Sequence, residues 1–340
     1  MNYQQEDPKL HNTGICNGYC GYKEWFHYET EVLIDDDPLT MVLGGVKSHP
    51  ACGCLGWLSF RGTQYSLAGN PADLSHKGFY VLNTHGRIHS YPHSYTLTYA
   101  TGSTGSVEGT FPSYALSLAT PQLDLKVTMN INTPQKSIAS RTLSPWLSGG
   151  WFHSGDVSVI LEGDISGESV SSHDRRNRGW YERNWSKLPV FWPSEWFFMM
   201  IHLDNGAVLD LYRITSLKIP VHFFDECWIY TDETFIPFPS YGAHIPSSLY
   251  EALRKKDYPS VLKNEITAQG THETHSHNDS FSLTATITDF RQYTVHTYYS
   301  HIAWSNFFIR TTGKALVQGT PMDMSGQGIV ELCQVKYWWL

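Results

Sequence analysis

A two-residue alternation of apolar and polar side chains limits what this chain can fold into more than any other feature. Leu123, Leu125, Val127, Met129 and Ile131 alternate with Asp124, Lys126, Thr128, Asn130 and Asn132. Phe281, Leu283, Ala285 and Ile287 alternate with Ser282, Thr284, Thr286 and Thr288, and Tyr95, Leu97 and Tyr99 with Thr96 and Thr98. Successive side chains of a strand point to opposite faces, so each run predicts a strand with one buried and one wet face. Turn residues punctuate the runs at Asp35-Asp36-Asp37-Pro38, over 102–109, and at Asp204-Asn205-Gly206. The last lies between 199–203 and 208–212 and predicts a hairpin. Helix is scarce. Ser248-Leu249-Tyr250-Glu251 has capping-box spacing ahead of 252–256, and a short turn follows at 259–263.

Composition removes several classes of function. With 41% hydrophobic and 16% charged residues the chain is not intrinsically disordered. Its 12 Trp, 20 Tyr and 16 Phe are enough to line an apolar pocket as well as fill a core. A net charge of -8, with no Lys/Arg cluster, argues against nucleic acid and anionic membrane surfaces as partners. No apolar run reaches the ~18 residues of a membrane span. Motifs of nucleotide chemistry and of serine hydrolases (P-loop, strand–GxGxxG–helix, nucleophile elbow) are absent, which argues against redox and phosphoryl-transfer enzymes.

Cys16, Cys20, Cys52 and Cys54 crowd the N-terminal region, while Cys227 and Cys333 stand apart. Their C-x3-C and C-x-C spacing matches no standard zinc site, leaving disulfides or free thiols. An even cysteine number and two sequons, Asn184-Trp185-Ser186 and Asn278-Asp279-Ser280, point to the secretory pathway, with the cytoplasm as the alternative, although Asn184, inside a motif strand, reads as a buried hydrogen-bonding amide rather than a glycan site. His272, His275 and His277 read as a polar loop before the Phe281 strand, since no helix sets them at metal-ligand spacing. A short internal echo is also present. Glu24-Trp25-Phe26 opens a run ending at the Asp35 turn, and Glu195-Trp196-Phe197 opens one ending at the Asp204 turn.

Residues 151–214 carry a recognisable pattern. It begins Trp151-Phe152-His153-Ser154 and continues through Gly179-Trp180-Tyr181-Glu182-Arg183-Asn184-Trp185-Ser186. It closes with Trp196-Phe197-Phe198, Leu203-Asp204-Asn205-Gly206 and Leu209-Asp210-Leu211-Tyr212-Arg213. This resembles the lipocalin-like family of carotenoid 1,2-hydratase and AttH-type proteins, whose motif is aromatic-Asp-His-Asn-Trp-Gly followed by a Trp-x-Trp hairpin. Glu24-Trp25-Phe26-His27-Tyr28 resembles the family's Glu-Trp-Trp-Tyr opening. The resemblance implies an all-β chain of two lipocalin-like antiparallel β-barrel domains with little helix. The expected division is a tail at 1–20, a first domain at 21–217 and a second at 218–340.

The resemblance also implies a hydrophobic small-molecule substrate, no cofactor and no metal. Family members include kievitone hydratase and the fungal Diels–Alderases of secondary metabolism. The expectation is a ring-closing catalyst, with dehydration to a reactive diene as a coupled step. Hydration of a prenyl alkene and simple ligand carriage are the alternatives. Oligomeric state stays open. Where the family motif has Asp-His, this chain has Glu182-Arg183, so a carboxylate is kept and a proton shuttle is replaced by a permanent cation.

Glu182 is the expected general acid or base, its pKa raised by burial beside Trp180, Tyr181 and Trp185. An ion pair with Arg183 or Arg178 is the competing role. Arg183, Tyr181 and His153 are expected to polarise substrate oxygens. Trp25, Tyr28, Trp151, Phe152, Trp185, Trp196 and Phe198 are expected to form the pocket wall. Strand alternation further predicts that Tyr181 and Arg183 share the face opposite Glu182.

Overall fold

The computed structural model describes residues 20–48, 52–66, 79–81, 87–89, 94–98, 104–132, 139–144, 147–189, 194–216, 222–231, 235–274, 276–296 and 300–337. Almost all of this is strand. In chain order the first strands are β1 (Cys20–Ile34), β2 (Asp37–Ser48), β3 (Cys52–Phe60), β4 (Thr63–Ser66), β5 (Phe79–Val81), β6 (Arg87–His89), β7 (Ser94–Thr98) and β8 (Thr104–Thr110). Then come β9 (Ser113–Thr120), β10 (Leu123–Ile131), β11 (Ala139–Ser144), β12 (Leu147–Ile165), β13 (Glu168–Ser172) and β14 (Arg178–Pro189). After these follow β15 (Ser194–Leu203), β16 (Val208–Ser216), β17 (His222–Tyr230), β18 (Phe235–Pro237) and β19 (Ser240–His244). Two short helices, α1 (Ser247–Lys255) and α2 (Tyr258–Val261), precede β20 (Glu265–Glu273), β21 (Asn278–His296), β22 (Ser300–Val317), β23 (Thr320–Asp323) and β24 (Gly326–Tyr337).

The strands form two curled antiparallel half-barrel sheets. The first runs β4-β3-β2-β1-β14-β12-β10-β9-β8-β7-β6, with β11 and β13 on β12. The second runs β18-β17-β16-β15-β24-β22-β21-β20-β19, with β23 on β22 and β5 on β21. All nine strands on the second path match the first nine of the first path in order and connection, β15 standing for β1 and β24 for β14. The Glu-Trp-Phe echo therefore marks equivalent strands, and the two Asp-containing turns close equivalent hairpins.

By contacts the chain divides into two units, 1–71 with 81–192 and 72–80 with 193–340. This differs from a division near 217. The hairpin of β15 and β16 is the second sheet's counterpart of β1 and β2, and β15 pairs with β24 along 196–203. Trp196 and Phe198 thus belong to the second unit.

The alternating runs become strands with the expected faces. In β10 every odd residue from Leu123 to Ile131 is buried. The hairpin at 204–206 is present, with Gly206 at φ 86°. The turn at Asp35-Asp36 places both residues at positive φ, where a short polar side chain is tolerated. These aspartates are exposed and reach Arg61 and Arg176, a solvated turn as expected. Two local expectations fail. Residues 104–110 form β8 rather than a turn, because Val107 and Gly105 alternate inward against β9. Helix α1 starts at Ser247 without a capping box; Ser248 lies inside it and donates to Asn264 Oδ1 at 2.5 Å.

The core of the second unit takes one face of its sheet, with Phe197, Met199, Ile201, Leu211, Ile229, Val330 and Leu332. Leu249 and Leu253 of α1 and Val261 of α2 pack into it. Each such side chain contributes about 1.5–3 kcal/mol by leaving water. Cys227 and Cys333 are buried free thiols. Cys16 and His275, with the side chains of Cys20, Cys52 and Cys54, lie outside the described residues.

Candidate functional site

Register builds the site. Glu182 of β14 is paired with His27 on β1 and with His153 on β12. Residues opposite one another across neighbouring strands project to the same face, so the three side chains form one row. His27 Nδ1 lies 3.3 Å from Glu182 Oε2, and His153 Nε2 lies 4.0 Å from Oε1. Asn184, two residues along the same face, donates from Nδ2 to Oε1. Glu182 is 3% exposed and both histidines 1%. The row continues to Gly44 on β2, opposite His27. A Cβ there would stand 2.6 Å from His27 Cδ2 and 2.8 Å from the Phe26 carbonyl oxygen, so glycine makes room for the imidazole.

The electrostatics differ from the sequence expectation. Burial alone pushes the Glu182 carboxyl up, and it is the largest single influence. The hydrogen bond and charge of His27, the charge of His153 and the Asn184 amide together outweigh it and hold the group below its ordinary value. Glu182 is therefore a carboxylate at neutral pH. The imidazoles beside it are the groups able to carry a proton, and the carboxylate orients them and stabilises the protonated form. The competing ion pair with Arg183 is not formed, because the two side chains lie on opposite faces of β14.

Tyr181 and Arg183 share the other face, as alternation predicts. That face is lined by Met129, Val157 and Val159, all within 3.1 Å of a Cβ built on Gly179. Tyr28, Tyr114 and Tyr181 meet there with ring centroids 4.9–5.4 Å apart. Arg183, 1% exposed, lies with its guanidinium carbon 4.5 Å from the Phe26 ring centroid, a cation–π contact.

The expected site residues thus fall into three groups. Glu182 and His153 come together with His27. Tyr181, Arg183 and Tyr28 come together on the opposite face. Trp196 and Phe198 stand in the second sheet, where Trp196 Nε1 donates to Glu331. Trp25, Trp151, Phe152 and Trp185 keep their register positions on β1, β12 and β14, but their side chains lie outside the described residues. His27 and Tyr114 are not singled out by the sequence, whereas Asn184 is the hydrogen-bonding amide expected there, with Glu182 as its partner. His27 follows Trp25 by two residues on one strand face, a signal that becomes readable only when β1 and β14 are aligned. Asn184 is engaged with Glu182 inside the sheet, which removes the first sequon as a glycan acceptor. Asn278, in the second, is exposed at the tip of the β20–β21 hairpin.

No family model matches the chain, and no curated protein matches it at significance. Solved structures do. Kievitone hydratase from Nectria haematococca aligns over 92% of this chain and 88% of its own, with TM-score 0.55 and 8% identity. A crystal structure of CghA with Sch210972 aligns over 93% and 88%, with TM-score 0.55 and 10% identity. A putative AttH from Nitrosomonas europaea aligns over 91% of each chain, with TM-score 0.51 and 12% identity. This chain therefore has the all-β, two-sheet lipocalin-like fold shared by kievitone hydratase, CghA and the AttH-type protein.

Proposed function

We propose that this chain is a cofactor-free catalyst that moves a proton on a hydrophobic, conjugated small molecule. The reaction is ring closure of the Diels–Alderase type, coupled to loss of water. The observation that carries this reading is a buried glutamate flanked in one row by two imidazoles, at 3.3 and 4.0 Å. In that arrangement a protonated His27 gives its proton to a leaving hydroxyl as the C–O bond breaks. His153, in the turnover state that has lost its proton, takes a proton from the adjacent carbon or O–H. Water departs, a diene forms, and it closes on an alkene with no further proton exchange. Holding the reacting ends at near-attack distance supplies up to about 7–11 kcal/mol of barrier lowering. Arg183 and the tyrosines of the opposite face contribute packing and polarisation from inside the first sheet.

A second reading shares the same row. Run in the other direction, an imidazolium protonates a prenyl alkene while the second imidazole takes a proton from attacking water, giving a hydratase. Support for both comes from the neighbours, which include a hydratase and a Diels–Alderase of the same fold. The test is an activity screen read by mass, using metabolite extract from a source strain lacking the gene. A product lighter by one water supports dehydration with ring closure, and a product of unchanged mass keeps ring closure and removes the dehydration step. A product heavier by one water makes the chain a hydratase. Retention of a metabolite without conversion makes it a carrier and overturns the catalytic reading.

A further inference from the structure

The hairpin of β15 and β16 turns through Asp204-Asn205-Gly206, and all three residues are exposed. Asparagine followed by glycine is the pair most prone to lose its side-chain amide. The glycine backbone nitrogen, uncrowded by a Cβ, gives up its proton and attacks the asparagine Cγ. The carboxamide C–N bond breaks and ammonia leaves. Water then opens the cyclic imide at either carbonyl, giving aspartate or isoaspartate. Only water is consumed and only ammonia is released.

The fold holds the reacting atoms away from that path. Gly206 N donates to the Leu203 carbonyl at 2.9 Å, so the nucleophile is engaged. Asn205 Nδ2 donates to the Asp323 carbonyl at 3.1 Å, and Ala207 N donates to Asn205 Oδ1 at 3.0 Å. Pinned at both ends, the carboxamide does not swing its Cγ onto the Gly206 nitrogen. The Asp323 carbonyl belongs to a different connection, the turn between β23 and β24. Asp204 N donates to the Ser325 carbonyl at 2.9 Å and ties the two turns together a second time. Gly326 lets them approach, since a Cβ there would stand 2.4 Å from the His202 carbonyl oxygen. Asp323 is fixed in turn by its own carboxylate, whose Oδ1 accepts from Ser325 N at 2.9 Å and from Ser325 Oγ at 2.8 Å. The equivalent hairpin of the first unit turns through Asp35-Asp36 and holds no Asn-Gly pair.

We infer that Asn205 is a deamidation site latched by the turn between β23 and β24, silent while the two turns are joined and reactive when they part. The product does not re-form the latch. An aspartate at 205 has no N–H for the Asp323 carbonyl and adds a negative charge beside Asp204. An isoaspartate also puts its Cβ into the main chain of a turn whose length sets strand register. Time spent with the turns parted is thus recorded in the chain, whatever reaction the chain catalyses.

The test is peptide mapping by liquid chromatography and mass spectrometry. The full chain is incubated in mildly alkaline buffer, either folded or in guanidinium chloride. Asn17-Gly18, the other such pair in the chain, lies outside the described residues and calibrates the intrinsic rate in denaturant. Deamidation at Asn205 is expected to be at least about tenfold slower in the folded chain, because its rate follows the fraction of time the turns are parted. Asp323→Ala removes the carboxylate that fixes the second turn and should recover much of that difference. Circular dichroism establishes that the variant is folded. If it is not, Ser325→Ala, which removes one of the two donors to Asp323, replaces it and is expected to recover part of the difference. Asn205→Asp copies the product and should speed hydrogen exchange over 323–326. Equal rates at Asn205 in the folded and denatured chain overturn the inference. So does a folded-state rate that the folded variant at 323 or 325 leaves unchanged. Unchanged exchange over 323–326 in Asn205→Asp overturns the latch.

Discussion

In the first sheet a buried glutamate lies between two histidines, and in the second its register equivalent lies between a phenylalanine and an asparagine. Strand order, hairpin placement and the position of the carboxylate are the same in both. The difference lies in the side chains around Glu182 and Glu331, on the neighbouring strands and on the carboxylate's own strand, where Cys333 stands in the position of Asn184. Backbone pairing sets where a carboxylate can be buried, and the residues opposite it in register set which side chains flank it within its own sheet. Room is allotted differently as well. Gly44 leaves space for the imidazole of His27, whereas Tyr212 packs its ring edge to face on Phe198.

The sharpest way to break this comparison is to make the first row resemble the second. Glu182→Gln, or His27→Phe with His153→Asn, is expected to lower turnover by about 10²–10⁴-fold, the usual range for positioned acid–base groups. Steady-state kinetics on the substrate found by the mass screen measures the loss, and an unchanged kcat would remove the row from the chemistry.

Stability gives the next contrast. His27→Phe leaves the buried Glu182 carboxylate without its nearer imidazole and should cost about 3–5 kcal/mol in denaturant unfolding. Gly44→Ala must displace the His27 ring or the β1 backbone, for about 1–3 kcal/mol and a measurable drop in turnover. The smaller loss tests whether the glycine serves the imidazole.

Acid sharpens the comparison further. The Glu182 carboxyl titrates lower in the folded chain than in the unfolded one. Its contribution is then complete above the unfolded value of about 4.3 and is lost as pH falls through the folded value. Thermal midpoints of the wild-type protein should fall more steeply below about pH 5 than those of Glu182→Gln. Parallel curves would mean that the histidines do not stabilise the ionised form. The smallest effect belongs to the hairpin turns. Arg61 bridges Asp37 at 2.7 Å and Glu168 at 2.8 Å at the surface. Water screens such pairs, so Arg61→Ala is expected to leave the unfolding midpoint unchanged.

Much of the fold was legible because one face of many strands is wet. The run over 123–131 reads directly as β10, and the Trp-Phe echo marks β1 and β15. The candidate site was less legible for the same reason reversed. Trp180, Glu182 and His27 are buried on one face of their strands while Tyr181, Arg183 and Tyr28 are buried on the other. Alternation of hydropathy fails where both faces are covered and polar groups pay for their burial in pairs. Glu182 was found through its motif. Its raised pKa was expected from burial because the imidazoles that reverse the shift come from β1 and β12, more than a hundred residues and about thirty residues away in sequence. Glu331 lies in a strand without a motif, and only its register singles it out.

The strand Phe79–Val81 pairs with β21, so the second unit borrows residues 72–80 from the midst of the first. During synthesis that segment leaves the ribosome some two hundred residues before its partner, at about 5–20 residues per second. For that interval the strand Phe79–Val81 lacks the partner it has in the folded chain, and another sheet edge can capture it. A gene fragment starting at Pro193 encodes the second unit without this strand, and a fragment ending at Trp192 encodes the first with a strand that has nowhere to pair. Dissecting the chain into halves therefore calls for a permuted or grafted 72–80, and a chaperone that shields this segment would act early in the chain's life.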